Sequence, residues 1–199
     1  MPMTPTASAF YPAVGYERLG DRGAESTRGA GPMRGAAGKV RRVRQTSFRW
    51  RPPGRALHVV DIENLAGTAI PTLAMVCEVQ VRYLTLLRFG VDDQVVLAAS
   101  HLGLLNAGLG WPHARYRVRS GKDGADLELI DVLEHENVAA RFGHVVIGSG
   151  DGGFSQVAAD LAARGLRITV VSRRSSLSSG LARVAGDVVY LDGNLAVAA

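Results

Sequence analysis

Cysteine is almost missing from this 199-residue chain. Cys77 stands alone, so neither an internal disulfide nor a cysteine-based zinc site is available. Long apolar runs are missing too. No stretch approaches the roughly 20 uninterrupted apolar residues that a membrane span requires, so no membrane partner is expected. The opening Met1-Pro2-Met3-Thr4 has neither the basic nor the apolar region of a secretory signal, and a cytoplasmic location is the expectation. The five histidines, His58, His101, His113, His135 and His144, show no ligand spacing. His135-Glu136 does not open an H-E-x-x-H motif, because Ala139 stands where the second histidine belongs. There is no G-x-S-x-G elbow and no Walker A loop. Disulfide-stapled, zinc-thiolate, elbow-serine and P-loop chemistries are thereby set aside.

Positive charge is plentiful but unevenly placed. Residues 1–55 carry eleven Arg and Lys against three acids, whereas residues 56–199 carry twelve against fifteen. An acidic domain therefore follows a basic segment, with a cluster at Lys39-Val40-Arg41-Arg42-Val43-Arg44. The first 55 residues are rich in Gly, Ala, Arg, Ser and Pro and show no apolar period. Such a composition cannot bury enough surface to offset ordering entropy, so this segment is expected to be a disordered tail. Basic tails neutralise phosphates, and a solvated leader is the plainer alternative.

From residue 56 onward, apolar strands and amphipathic helices alternate. Strands are expected at 57–61, 94–99, 114–119, 144–147, 167–171 and 187–191. Helices are expected at 72–89, 101–108, 125–142, 154–164 and 177–184. That alternation predicts a three-layer α/β/α domain over 56–199 with a central, mainly parallel sheet. Cys77, inside the long apolar helix, is expected to be inert packing. In such sheets ligands bind beyond the carboxyl ends of the strands, which directs attention to the residue following each strand.

Those positions are acidic. Asp61-Ile62-Glu63-Asn64 follows the first strand; Asp61 reads either as a helix cap or as a ligand. Ser120-Gly121-Lys122-Asp123-Gly124-Ala125-Asp126 follows the third. Asp126, Ile130 and Leu133 share one helix face, so Asp126 points inward at the mouth of the sheet. Asp131 lies roughly 140° further round and does not converge. Gly148-Ser149-Gly150-Asp151-Gly152-Gly153-Phe154 follows the fourth strand. Its glycines also satisfy G-x-G-x-x-G, with Arg173 and Arg174 placed for a 2′-phosphate, so a dinucleotide reading competes. Three crossovers thus deliver Asp61, Asp126 and Asp151 to one edge. Crowded carboxylates share protons or take a cation, and oxygen-only ligands favour Mg²⁺ or Mn²⁺. Arg115, Arg117 and Arg119 recur at period two, as a phosphate-tracking strip or as simple surface charge.

Residues 57–192 resemble the NYN domain family of the PIN-like nucleases. The likeness lies in Val60-Asp61-Ile62-Glu63-Asn64, in Lys122-x-x-x-Asp126 entering a helix, and in Gly148-Ser149-Gly150-Asp151-x-x-Phe154. It implies a PIN-like fold, a Mg²⁺ or Mn²⁺ site, and hydrolysis of RNA by an endoribonuclease. Asp61, Asp126 and Asp151 would be the catalytic metal ligands. Asn64, Lys122 and Ser149 would bind substrate, with Asn64 also positioning the first loop and Ser149 also able to bond a neighbouring carboxylate. RNA is the implied partner, and a homo-oligomer is compatible with the sequence. One departure stands out: the family's last motif commonly reads Ser-Gly-Asp-x-Asp-Phe, and Gly153 occupies the second acid's place. Glu63 or Asp131 are the acids available to compensate. The alternative function is an RNA- or nucleotide-binding module with weakened or absent catalysis.

Overall fold

A computed structural model describes residues 54–192. Six strands, β1 (Ala56–Asp61), β2 (Gln94–Ala99), β3 (Arg115–Val118), β4 (His144–Gly148), β5 (Arg167–Ser172) and β6 (Asp187–Tyr190), form one parallel sheet in the order β3-β2-β1-β4-β5-β6. Seven helices connect them: α1 (Ile62–Ala66), α2 (Leu73–Leu86), α3 (Leu104–Gly110), α4 (Gly124–His135), α5 (Val138–Arg141), α6 (Ser155–Ala163) and α7 (Ser179–Val184). The layered α/β architecture expected from the alternation is present, and the sheet is parallel throughout. The expected basic tail falls, apart from its last two residues, outside the described residues. No helix among the described residues is long and apolar enough to cross a membrane.

The topology follows from handedness. Right-handed crossovers place a helix on one face when the chain steps one way along the sheet and on the other face when it steps back. The steps β1 to β2 to β3 put α1, α2 and α3 on one face, around Val60, Leu97, Ala99, Val146 and Val171. The chain then returns past β1 to β4 and moves outward to β6. Helices α4 to α7 accordingly cover the opposite face, around Val59, Val96, Ala98, Val145, Ile147 and Val170. Both β1 and β4 are buried along their whole length, as central parallel strands covered on both faces should be. The direction of winding reverses between β1 and β4, and the carboxyl ends of those strands open into a crevice there.

Three expectations are corrected. Asp61 caps a short helix, α1, which its cap reading allowed but the expected helices did not include; Gly67, at φ 77°, ends it, and Thr72 then caps α2 through Met75 N–H. The expected helix over 125–142 is two helices, because Asn137 adopts a left-handed φ of 52° between α4 and α5. Cys77 is exposed rather than packed. The buried stripe of α2 is Val76, Val79 and Tyr83, and Cys77 lies about 100° round the helix from Val76.

Candidate active site

Each loop at the crevice is built from local rules. Asp61, the last residue of β1, accepts hydrogen bonds through Oδ1 from the N–H groups of Glu63 and Asn64, both at 3.1 Å. This is the ordinary work of a helix N-cap. Its Oδ2 accepts from Ser149 Oγ at 3.4 Å, and the residue is buried. Ser149, fully buried after β4, in turn accepts the Asp151 N–H at 3.2 Å. Asp151 caps a short 3-10 turn (Gly152–Phe154), its Oδ1 taking the Gly153 N–H at 2.6 Å. Asn64 Oδ1 accepts the Gly150 N–H at 3.0 Å, and its backbone oxygen accepts from Arg173 Nε at 3.1 Å. The loops after β1, β4 and β5 are thereby laced together.

Asp126 enters from α4. Gly124 allows that approach, because a Cβ there would collide with the Arg119 carbonyl oxygen. Asp126 Oδ1 is buried and meets no hydrogen-bond donor. Burial, reinforced by the charge of Asp61 and then of Asp151, pushes the Asp126 carboxyl up from 3.8 to about 8. Burial also raises Asp61, against the lowering effect of its bond from Asn64 N–H. Two facing carboxylates can hydrogen-bond only when one of them carries a proton. The pair thus holds a proton at neutral pH or takes a cation in its stead.

The donor chemistry fits a hard divalent cation: oxygens only, one of them orphaned, with a pair that resists double ionisation. The arrangement is not a closed cage. Among the described residues no group of three or more His, Cys, Asp and Glu side chains is disposed to hold a metal ion. The reason is visible in the bonding, since Asp61 and Asp151 each spend one oxygen on backbone N–H groups. Asp126 is the member without such a commitment.

The remaining candidates fall elsewhere. Glu63 accepts the Ser100 N–H at 2.7 Å and turns toward the end of β2. Asp131 pairs with His135 at 3.1 Å on the exposed side of α4. Lys122 is exposed in the loop before α4. Ser149 is closed off from solvent, so its geometry is that of a tie between Asp61 and Asp151. The arginine strip is neutralised along β3. Arg115 and Arg117 both bond Glu136, at 2.8 and 3.0 Å, and Arg117 and Arg119 lie 3.8 and 4.0 Å from Glu128. A signal for this existed in the sequence: Glu128, Asp131 and Glu136 belong to the segment that packs back across β3.

The glycine turn does not cradle a dinucleotide. Gly150 N–H is taken by Asn64, and a Cβ on Gly150 would run into Ser172 and Ser176. Its smallness serves packing between loops. Arg173 donates from Nε to the Asn64 carbonyl of the first loop.

A solved structure of a protein of unknown function from Vibrio parahaemolyticus is similar at 18% identity and a TM-score of 0.44, over 69% of this chain and 93% of that one. No curated protein matches the sequence. The family model of the NYN domain, a family of the PIN-like nuclease superfamily, matches residues 103–192, a stretch that holds Asp126 and Asp151 while Asp61 and Asn64 precede it.

Proposed function

We propose that this protein is a divalent-cation-dependent ribonuclease whose site is Asp61, Asp126 and Asp151. The observation that carries the reading is Asp126, whose Oδ1 is buried and without a donor, beside the buried Asp61 carboxyl at the crevice between β1 and β4. Families of the PIN-like superfamily typically use divalent metals, and Mg²⁺ or Mn²⁺ suits these ligands. Asp126 and Asp61 would hold the ion directly and Asp151 directly or through water. When bound, such a cation polarises a phosphoryl oxygen and favours hydrolysis of a phosphodiester.

The chain's own groups supply orientation. Asn64 and Ser149 fix the loops carrying Asp61 and Asp151, so the carboxylates stay in place without a ligand to gather them. Asp126, free of backbone bonds, holds a proton up to about 8 while no cation is bound and would release it when the ion takes its place. Lys122, exposed at the entrance, would meet a phosphate of the substrate strand. RNA is the substrate by the family resemblance.

Incubation of single-stranded RNA with the protein and Mn²⁺ tests the reading. Cleavage should fail in Asp126→Asn and in Asp61→Asn, the latter keeping the helix cap because Asn caps as well as Asp. Undiminished cleavage in both variants would sink it.

A second reading, an RNA-binding module without catalysis, is favoured by Gly153 and by the lack of a closed ligand set. Mn²⁺ titration separates the two. A catalytic site binds Mn²⁺ and loses it in Asp126→Asn; a silent site is indifferent to the substitution.

A further inference from the structure

The same edge of the sheet holds a second depression. A groove of about 270 Å³ opens between α2 and the ends of β5 and β6. Its existence follows from the winding. The outward steps from β4 to β6 put their helices on the far face, so on the near face β5 and β6 receive no crossover helix and α2 stops short of them. Leu65, Met75, Val79 and Leu191 make its walls apolar, and Arg82 and Arg173 stand at its sides.

Half of the charged groups in the groove are paired with each other. Arg82 pairs with Glu78 at 3.0 Å and reaches the Leu191 carbonyl at 3.5 Å. Asp192 and Arg173 bond neutral partners, Asp192 the Arg174 N–H at 3.1 Å and Arg173 the carbonyl of Asn64, so neither charge is cancelled by those contacts. Through Asn64 and Gly150, Arg173 is two hydrogen bonds from the Asp151 loop. The groove therefore offers an apolar slot with one internal ion pair, the Asp192 carboxylate after β6, and the Arg173 cation at the end nearest the crevice. The complement of that pattern is a flat, neutral heterocycle with an anion attached. The size argues for one ring system, since whole small-molecule sites usually run to about 300–1,000 Å³.

We propose that this groove is a nucleobase subsite, seating one base of the RNA strand while Arg173 meets the adjoining phosphate. For the polymer the proposal rests on the nuclease reading; for binding of a mononucleotide it does not. Any base preference in cleavage would then originate between α2 and β6, away from the carboxylates. Base recognition of this kind uses stacking on guanidinium planes and packing against apolar side chains.

Met75 supplies the probe, being the only methionine among the described residues. The full-length protein, labelled at methionine methyl groups, is titrated with AMP, CMP, GMP and UMP without divalent cation. The Met75 signal should shift saturably, and by unequal affinities among the four. Met75→Trp, which fills the slot, should weaken binding by at least about tenfold. Arg173→Gln should weaken the monophosphate but not the parent nucleoside. Should Met75→Trp fail to fold, Ala66→Met on the opposite wall replaces it. Homopolymer RNAs give a second readout: Met75→Trp should erase the base preference in cleavage.

Failure to shift Met75 with any nucleotide, or an equal shift with inorganic phosphate alone, overturns the subsite. So does binding that emerges only after deletion of residues 193–199, which would assign the groove to the chain's own end. If Met75 shifts as expected but no RNA is cut, the nuclease reading falls and the subsite stands. If RNA is cut with a preference that Met75→Trp leaves intact, the subsite falls and the nuclease stands.

Discussion

Asn64 Oδ1 accepts the backbone N–H of Gly150 at 3.0 Å, tying the loop after β1 to the loop after β4 across the crevice. The bond holds Asp61 and Asp151, which flank it in the two loops, at a fixed separation. Asn64→Ala leaves a part-buried N–H unpaired and frees the β4 loop. The expected loss is about 1 kcal/mol of stability, or about 2–4 °C in melting temperature for a domain of this size. Cation-dependent cleavage should fall further than stability does, because placement of the carboxylates is at stake. Calorimetry and single-turnover cleavage, compared at a temperature where both proteins are folded, check this.

The Asp61–Asp126 pair makes stability depend on pH in a definite direction. Asp126 is raised from 3.8 to about 8 on folding, first by burial and then by Asp61. A group raised in the folded state contributes fully below its unfolded value and loses that contribution as pH rises through the folded one. Without divalent cation, stability should therefore decline between about pH 4 and pH 8. Asp126→Asn abolishes the ionisation. Because Asp126 is only partly buried, solvent screening limits the gain to about 1 kcal/mol above pH 8, with little change at pH 5. A melting temperature that falls in the variant at pH 8.5 would contradict the assignment.

His144 shapes the acid side. Burial, with some help from the charge of His58, lowers it from 6.5 to about 4, and its Nε2 meets Thr169 Oγ1 at 2.9 Å. The unfolded chain binds a proton here that the folded protein refuses, so stability should fall as pH drops from about 6.5 to 4. His144→Gln, which can still bond Thr169, should flatten that limb. Urea midpoints measured at intervals across the range read the effect, and an unchanged slope below pH 6.5 would refute it.

The parts of the fold read correctly from sequence are those governed by local pattern. Gln94–Ala99 was bounded to the residue, and each of the other strands to within one, since continuous apolar runs closed by Gly, Asp or Arg leave little freedom. What the pattern hid depended on single residues doing unusual work. Asp61 as a cap created α1; Asn137 in the left-handed region split a helix that periodicity alone would have continued. In the site, the position of Asp126 was legible because helix phase is a local property. The partners of Ser149 and Asn64 come from distant loops, and only the resemblance pointed to a carboxylate for Ser149 and a loop for Asn64; the β3 arginines had their signal in the acids of the helical segment that follows. The groove beside Arg173 had no sequence signature at all, since its walls come from α1, α2 and the segments after β5 and β6.

The ion pairs along β3 bear on where the substrate strand runs. Arg117 lies within 4 Å of Glu128, Asp131 and Glu136, so little of its charge is available to phosphate. Arg117→Ala should change RNA affinity by less than about twofold and cost at most about 1 kcal/mol of stability, as expected for partly exposed pairs. Lys122→Ala should instead weaken binding across all sequences and reduce the logarithmic salt dependence by about one. Filter binding over a series of salt concentrations distinguishes them; a larger effect from Arg117 would move the strand onto the β3 edge.

Gly153 offers a constructive test of the missing acid. A Cβ at this position would sit 3.1 Å from Asp151 Oδ1, so an aspartate there brings a second carboxylate against the first. Without a cation the two repel, and Asp151 already spends Oδ1 on the Gly153 N–H. Gly153→Asp should therefore lower the melting temperature of the cation-free protein. With Mn²⁺ the sign reverses: an added oxygen ligand should tighten binding by about tenfold, and ligand binding to the folded state alone then recovers the lost stability. Mn²⁺ affinity by calorimetry, alongside melting curves with and without the metal, measures both halves. A variant that melts lower under both conditions and binds Mn²⁺ no better would mean that the crevice is not a cation site, and would leave the shared proton of Asp61 and Asp126 as its sole occupant.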